Sequence, residues 1–340
     1  ETKKISTLYG LLIGASEDSE ETPLAVNTSS RFDVGRNFAN KFWNSARFAM
    51  LNITSPASNV TNADLLPVDV WMLSRIVNAT KKLDEALGDY QFNVAAETLY
   101  DLLWRDFCDW YLEAIKPTIK ENECQQRTLL TVLNVICRLL HPVCPFVTEA
   151  MWSHLCELDA GSIEGLELDE SNVLALAHWP VVDDIELDVE VIASFEAMQV
   201  LVTAIRGARA SSGVKPKRRI DVTLSSDLHA LAVKHDVTLR ALAGIDNIYE
   251  GDDVKEGMPI QIEGQTVYLS NMFDAEEAHA QMAKLDEEIA SLEKKIAGMK
   301  NRLSNESYVN NAPEHIVQES RDMLKQAEEE LKNALEARAS

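Results

Sequence analysis

The stretch GRNFANKFWNSARF, residues 35–48, decides the fold class of this chain. Its apolar residues recur at helical spacing, and a projection at about 100° per residue predicts one amphipathic helix over 34–52. The arc predicted to face a protein core consists of Phe38, Ala39, Phe42, Trp43, Ala46, Ala49 and Met50. The opposite face carries Asn37, Lys41, Asn44 and Phe48, so a large aromatic residue stands where solvent is expected.

Two interpretations of that opposite face stay open from the projection alone. Phe48 packs against a neighbouring helix, or it offers its ring to an unpaired base of a nucleic acid. In the second case Lys41, Asn37 and Asn44 would contact phosphates and base edges beside the stacked base.

The helical spacing continues as far as about Pro180 and predicts a helical bundle. Stop signals at Gly88, Pro117 and Pro142 separate the predicted helices, which cover 68–87, 92–115, 126–140 and 145–155. Long helices joined by short connections are typical of an antiparallel bundle, so we expect a mainly α chain.

Beyond Pro180 the pattern predicts a small α+β module. A further helix is predicted over 189–209. The run from Ile220 to Leu224 alternates apolar and polar residues, which is typical of a half-buried strand. Two short apolar runs, 260–262 and 267–269, flank a turn at Gly264 and predict a hairpin.

The C-terminal segment predicts an antiparallel coiled-coil hairpin. Apolar and small residues recur at spacings of three and four in two runs, separated by a loop of about ten residues that ends at Pro313. The first run is Leu285, Ile289, Leu292, Ile296, Met299 and Leu303. The second run is Val317, Ser320, Leu324, Ala327, Leu331 and Ala334. We expect the runs to pair within one chain, with dimerisation on a partner helix as the alternative.

The charge balance restricts the nucleic-acid contacts that the chain can make. Asp and Glu outnumber Lys and Arg by 55 to 32, which gives a formal net charge of −23. Phosphate neutralisation requires clustered cations, so any contact must be local. The sequence contains two clusters of basic residues, and contact with phosphates and ordinary solvation explain each of them equally well. They are Lys215, Lys217, Arg218 and Arg219 in a loop, and Lys294, Lys295, Lys300 and Arg302 towards the tip of the arm.

The sequence shows no catalytic, metal or cofactor motif. It lacks a Gly-rich phosphate loop, an HEXXH sequence and a supported Ser-His-Asp set. Its five cysteines lack zinc-site spacing and are interpreted as buried free thiols in a reducing cytosol. Asp106, Asp109 and Glu113 share a helix face and are interpreted as surface charges. No long uncharged apolar run predicts a membrane span. The chain starts without Met, so we expect a fragment.

Several of these stretches resemble the anticodon-binding bundle of class Ia aminoacyl-tRNA synthetases. They are residues 35–48, VWMLSR at 70–75 and LLHPVCPFVTEAMW at 139–152, which would fit valyl, leucyl or isoleucyl enzymes. DFCDWYLE at 106–113 and LSNESYVNNAPE at 303–314 are similar to the valyl-tRNA synthetases in particular. The resemblance covers about residues 31–338, and the leucyl and isoleucyl families remain alternatives.

The resemblance implies four segments with different roles. Residues 1–30 would be the tail of an upstream catalytic or stem region, and 31–187 the anticodon-binding bundle. Residues 188–273 would be an α+β junction module, and 274–340 a coiled-coil arm that reaches the tRNA elbow. Lys41 and Phe48 match positions associated with anticodon recognition, and Asn37 and Asn44 lie on the same face.

The resemblance also implies the reaction of the parent enzyme. That enzyme would join valine to its tRNA with ATP and Mg²⁺ and would hydrolyse mischarged threonine. The resemblance implies that both sites lie upstream of residue 1. The chain lacks the HIGH-type and KMSKS-type sequences with which class I synthetases hold ATP. We therefore expect a cytoplasmic, monomeric, catalytically inactive piece that binds valine tRNA, with no DNA or membrane partner. A protein-pairing coiled-coil module is the alternative function.

Overall fold

The computed structural model of the protein describes residues 4–5, 25–26, 30–158, 161–166, 168–251, 257–273, 275–304 and 314–339. The chain divides into two compact units, Glu1–Glu196 and Ala197–Ser340. This division falls within a helix, and the predicted segment limits at 187 and 273 stay predictions. Most of the predicted tail, 1–30, lies outside the described residues. Two short strands of it, β1 (Lys4–Ile5) and β2 (Ala25–Val26), pair antiparallel.

The first unit is built from helices, as predicted. They are α1 (Ser30–Asn52), α2 (Pro67–Gly88), α3 (Phe92–Tyr100), α4 (Leu112–Ile115), α5 (Glu123–Leu140) and α6 (Pro145–Leu155). The residues between α3 and α4, Asp101–Tyr111, wind as a π-helix. Two short parallel strands, β3 (Asn59–Val60) and β4 (Ser162–Ile163), pair the segment after α1 with the segment after α6.

Local capping sets where these helices begin. Pro67 occupies the first turn of α2, where its missing N–H costs no hydrogen bond. Helix α5 begins at Glu123, three residues before the predicted start at 126, because the Asn122 side chain accepts a hydrogen bond of 2.9 Å from the Gln125 N–H. The sequence prediction missed this cap.

The apolar face of α1 is buried over most of its length. Phe42, Ala46 and Ala49 are at most 1% exposed, and burying a phenylalanine contributes about 1.5–3 kcal/mol. The projection was wrong for Trp43, which is 40% exposed. Trp43 lies at the edge of the predicted arc, so a modest rotation of the helix brings it to solvent.

The π-helical segment was not predicted, since 92–115 reads as one α-helix. In a π-helix each N–H bonds the carbonyl five residues earlier, and the Leu112 N–H bonds the Phe107 carbonyl. Residues five apart therefore share a face. The buried pairs Leu102 with Phe107, and Leu103 with Cys108, follow that spacing.

The second unit contains a helix, α7 (Val189–Ser211), which begins in the first unit, and a four-stranded sheet of order β6-β5-β8-β7. The strands are β5 (Ile220–Leu224), β6 (Ile245–Glu250), β7 (Met258–Ile262) and β8 (Gln265–Ser270). Strand β5 pairs parallel with β6 and antiparallel with β8. The predicted hairpin is confirmed: Glu263 and Gly264 have φ of 48° and 84°, as a two-residue turn requires.

The sequence prediction missed β6 and the helices before it, α8 (Ser226–Lys234) and α9 (Asp236–Ala243). Strand β6 lies at the sheet edge, and of its residues only Ile245 is buried. It therefore lacks the alternation of apolar and polar residues by which a strand is recognised.

The C-terminal arm consists of α10 (Ala275–Leu303) and α11 (Glu314–Ala339), which pack on each other. Ile289, Ile296, Val317 and Ala327 of the predicted seam are buried. A connection this short joins antiparallel neighbours. The side chains of Leu285, Ser320 and Ala334, and the loop that contains Pro313, lie outside the described residues.

One helix in the described part of the chain, α7, has the length and composition of a membrane span, with a mean hydropathy of 1.3. Core helices have the same properties. Phe195, Met198, Leu201 and Val202 are 0% exposed, so one face of α7 packs against protein, although only 28% of its most apolar stretch is buried.

A polar network lies inside the helical unit around Asp69. Its carboxylate accepts hydrogen bonds from the Tyr111 hydroxyl (2.7 Å), the Leu66 N–H (3.2 Å) and the Gln125 amide (3.4 Å). Burial raises the pKa of Asp69 to about 6, although these hydrogen bonds lower it. The network joins the first turn of α2 to the end of the π-helical segment and to α5.

Asp69→Asn should remove one component of the pH dependence of stability. Between pH ~4 and the folded-state pKa of about 6, the unfolded chain releases the Asp69 proton while the folded chain keeps it, so the stability contributed by this group falls as pH rises. The fall should total on the order of 2 kcal/mol and stop above that window. Urea unfolding followed by tryptophan fluorescence measures it in the helical unit, which contains all six tryptophans. Parallel pH profiles of the wild type and the variant would contradict the assignment.

In the second unit, the buried Arg209 guanidinium closes the carboxyl end of α9. It donates to the carbonyls of Ala243 (2.5 Å), Gly244 (3.0 Å) and Arg218 (2.6 Å). Gly244 has φ of 67°, and a Cβ there would collide with this guanidinium.

Gly244→Ala should therefore destabilise the sheet by about 2–4 kcal/mol, from backbone strain and displaced hydrogen bonds. Gly207→Ala is the matched control, because a Cβ at this exposed position of α7 meets nothing within 4 Å. It should stabilise the unit by about 1 kcal/mol. Native-state hydrogen exchange in β5 and β6 measures both effects. Equal protection in the two variants would refute the role given to Gly244.

Candidate nucleic-acid interface

The four residues predicted on the polar face of α1 do share that surface. Asn37 and Asn44 are exposed, whereas Lys41 and Phe48 are half-buried. Both half-buried side chains contact the part of the chain that follows α3. Phe48 is therefore neither fully packed against the protein nor fully open for stacking on a base, the two interpretations left by the sequence. Phe48 lies under the Lys116 ammonium, 5.6 Å from its ring centroid, and keeps part of its surface open.

A row of contacts joins α1 to the last residue of α3 and to the π-helical segment that follows it. Phe38 stacks on Tyr100 at 5.9 Å between ring centroids, and Tyr100 stacks on Trp104 at 5.5 Å. Further along, the Ser45 hydroxyl lies 3.0 Å from the Cys108 sulfur. Because the residue numbers rise together on both sides, the two segments run in the same direction. We call this row of contacts, together with the adjoining face of α1 that carries Asn37, Lys41, Asn44 and Phe48, the α1 seam.

Lys41 is the cation in the middle of the α1 seam. Its ammonium lies 2.6 Å from the Asp109 carboxylate and 4.4 Å from the Trp104 ring centroid. A cation over an indole face is attracted by the ring quadrupole, which adds to the ion pair. The ammonium is therefore restrained from two sides, although 29% of the Lys41 side chain remains exposed.

The three carboxylates predicted to be surface charges each have a cationic partner. Asp106 pairs with Arg75 at 2.7 Å, and Glu113 with Lys116 at 2.5 Å, while Asp109 pairs with Lys41. Burial raises the pKa of Asp106, and the hydrogen bond from Arg75 lowers it. The prediction of separate helix-surface charges missed these partners, of which Arg75 and Lys41 come from distant parts of the sequence.

The exposed surface of α1 has a composition suited to RNA. The helix carries four basic residues and one acidic residue, in a chain whose net charge is −23. Beside Arg47, Trp43 and Leu51 line an open cavity of about 360 Å³ together with Met151 and His154 of α6. Aromatic and basic side chains together are typical of surfaces that bind single-stranded nucleic acid.

The five cysteines are free thiols, as predicted. The prediction that all five are buried is wrong for Cys156, which is exposed. Cys124 and Cys144 are only partly buried. Burial raises the pKa of the Cys108 thiol to about 11, so this thiol stays protonated at neutral pH. In the described ranges, no three His, Cys, Asp or Glu side chains come close enough to hold a metal ion.

The basic loop of the second unit divides into structural and exposed side chains. Arg218 donates to the Asn271 carbonyl at 2.9 Å, and Arg219 donates to the Ile245 carbonyl at 2.9 Å. Lys215, Lys217 and Arg219 are exposed, whereas Arg218 is half-buried. Two of the four predicted phosphate contacts therefore also hold the sheet together.

The four basic residues predicted towards the tip of the arm are all exposed. They are Lys294, Lys295, Lys300 and Arg302. Lys300 pairs with Glu328 of α11 at 2.7 Å, which ties the two helices of the arm together. Lys294 and Lys295 are neighbours on the solvent side of α10.

Two known families match parts of this chain. Residues 69–224 match the anticodon-binding domain of tRNA ligase, and residues 278–340 match the valyl tRNA synthetase tRNA binding arm. The first match begins at Asp69, so α1 lies outside it.

The relatives share one name. The chain is 32% identical over 324 residues to a valine–tRNA ligase of Rhodopirellula baltica, covering 91% of this chain and 31% of that protein. It is 30% identical over 306 residues to the one of Thermotoga maritima, covering 88% and 33%. The one of Fusobacterium nucleatum is 28% identical over 349 residues, covering 93% and 38%.

The chain thus spans about a third of the length of the curated relatives it matches. Over 91% of its length the chain is similar to a valine–tRNA ligase, and it matches the anticodon-binding domain of tRNA ligase and the valyl tRNA synthetase tRNA binding arm.

Proposed function

We propose that the chain is the tRNA-binding part of a valine–tRNA ligase. In this proposal the α1 seam holds the anticodon, and the arm holds the tRNA elbow. The α1 seam carries the argument, because a half-open aromatic ring, a restrained ammonium and two exposed amides share one surface. That combination offers stacking to one base and hydrogen bonds to its neighbours.

The parent protein would join valine to its tRNA with ATP and Mg²⁺. The matched families concern tRNA binding, and the chain lacks the sequences with which class I synthetases hold ATP. Activation of valine and editing would therefore depend on other residues of the parent protein. The proposal places the protein in the cytoplasm, as a monomer that binds valine tRNA.

A coiled coil that pairs with another protein is the second candidate. The packing of α10 on α11 within one chain opposes it, because Ile289, Ile296, Val317 and Ala327 are already buried against the chain itself. A partner helix would have to displace α11 to reach these side chains. The arm therefore presents mainly its charged outer faces.

Phe48→Ala should weaken binding of a valine tRNA transcript by about 1–3 kcal/mol, because one base loses its stacking partner. Fluorescence anisotropy with the native transcript, and with one whose middle anticodon base is changed, measures the loss. The variant should reduce the preference for the native transcript.

Phe146→Ala is the matched control, because Phe146 is 91% exposed at the start of α6 and is not part of the α1 seam. It should leave both affinities within error. An unchanged preference in Phe48→Ala would eliminate the stacking role.

Replacing Lys294 and Lys295 by glutamine should weaken the binding of both transcripts equally, since phosphate contacts carry no sequence information. The slope of log K against log salt concentration should become shallower by about one for each phosphate that is no longer neutralised.

The same double change at Lys325 and Lys332 of α11 is the control. Both are exposed, and both lie farther along the chain from the tip of the arm. If the two double variants lose equal affinity, the arm acts only through its total charge and the tip has no special role.

A further inference from the structure

The ion pair between Lys41 and Asp109 has a consequence for what the α1 seam can bind. A lysine in a site for nucleic acid ordinarily neutralises a phosphate. Here the ammonium already lies 2.6 Å from a carboxylate, and the face of Trp104 covers another side at 4.4 Å. The lysine therefore presents a donor to solvent without presenting a net charge.

The neighbouring charges reinforce this neutrality. Along one helical stretch, Asp106, Asp109 and Glu113 each lie within 2.7 Å of a cation, namely Arg75, Lys41 and Lys116. Three acids and three bases sum to zero over this surface. Two of the pairs are largely solvent-accessible, with Asp109 49% and Glu113 47% exposed. An approaching phosphate meets exposed carboxylates as well as ammonium groups.

We propose that Asp109 is a specificity-determining residue that makes Lys41 a reader of a base edge and prevents it from acting as a phosphate contact. This inference rests on the proposed binding of the anticodon at the α1 seam. A phosphate at hydrogen-bond distance from the Lys41 ammonium would lie close to the Asp109 carboxylate and be repelled by it. A neutral acceptor atom on a base edge carries no such penalty, because it needs only the N–H donor.

Trp104 restricts the choice further. Its ring fixes the direction of the ammonium, so only an acceptor in one region of the α1 seam meets a donor. Phe48 lies on the same face of α1, two helical turns from Lys41, and supplies the stacking surface for a neighbouring base. The ligand is therefore an unpaired stretch of RNA whose bases, and not its phosphates, contact this surface.

Asp109→Asn tests the proposal, because asparagine keeps the size of the side chain and an oxygen that accepts from Lys41. Removing the carboxylate charge should release Lys41 to phosphates. Binding of both the native transcript and the transcript with a changed middle anticodon base should then tighten several-fold at low salt. The affinity ratio between them should fall towards one, and the slope of log K against log salt should steepen by up to about one.

Asp101→Asn is the matched control. Asp101 lies on the same π-helical segment and pairs with Arg105 at 3.2 Å, so the variant removes the same charge from an equivalent ion pair. It should leave the affinity ratio unchanged. Circular dichroism and tryptophan fluorescence verify that both variants fold, and Asp109→Ser provides a second variant if Asp109→Asn does not.

Two results would overturn the inference. One is weaker binding of both transcripts in Asp109→Asn, and the other is an unchanged ratio with an unchanged salt slope. Either result would mean that the ion pair between Lys41 and Asp109 is a structural contact with no role in specificity. Lys41→Met separates this failure from a failure of the proposed function. If Lys41→Met abolishes the preference while Asp109→Asn keeps it, only the role of Asp109 is wrong. If Lys41→Met and Phe48→Ala both keep the preference, the anticodon is not held at the α1 seam.

Discussion

The packing of α1 along the π-helical segment is the constraint on which the candidate site depends. Buried Phe42 and Ala46 fix one side of α1 in the core of the unit. The opposite side then has to meet solvent or Asp101–Tyr111. The π-helical winding decides which side chains it meets there, since residues five apart share a face in that segment. Asp109 reaches Lys41, and Trp104 lies beneath the same ammonium.

An acidic chain can bind RNA if its contacts are of different kinds in different places. At the α1 seam, paired charges cancel, and recognition would depend on stacking and directed hydrogen bonds. At the arm, the exposed Lys294 and Lys295 would supply charge without selectivity. The basic loop lies between these two cases. Its Arg218 and Arg219 are charged, but both also donate hydrogen bonds to carbonyl groups of the sheet. Burial, and then the charges of Arg206 and Arg219, lower the pKa of the Arg209 guanidinium beneath that loop.

Helical periodicity predicted the bundle and most of the seam between α10 and α11, since both depend on spacing within a single element. The hairpin turn at Gly264 was also predictable, because its two flanking apolar runs are close together in the sequence. Strand β6 was missed because an edge strand buries few side chains. The projection of α1 placed Lys41 and Phe48 on one face but could not supply Asp109, which lies 68 residues away. Contacts across such a separation depend on tertiary packing, and no local pattern encodes them.

The buried network at Asp69 connects the interior of the helical unit to its surface. Tyr111 closes the π-helical segment, and its hydroxyl donates to Asp69 in the first turn of α2. Gln125 in α5 donates to the same carboxylate. An acceptor without solvent needs its donors in place, so these hydrogen bonds fix the axial position of the π-helical segment. Asp109 precedes Tyr111 by two residues, and a shift of one residue would move its carboxylate away from Lys41. The polar interior thus sets the position of an ion pair that is itself largely exposed. Surface pairs of this kind contribute little stability, so the placement of Asp109 is better explained by what the surface binds than by the stability of the fold.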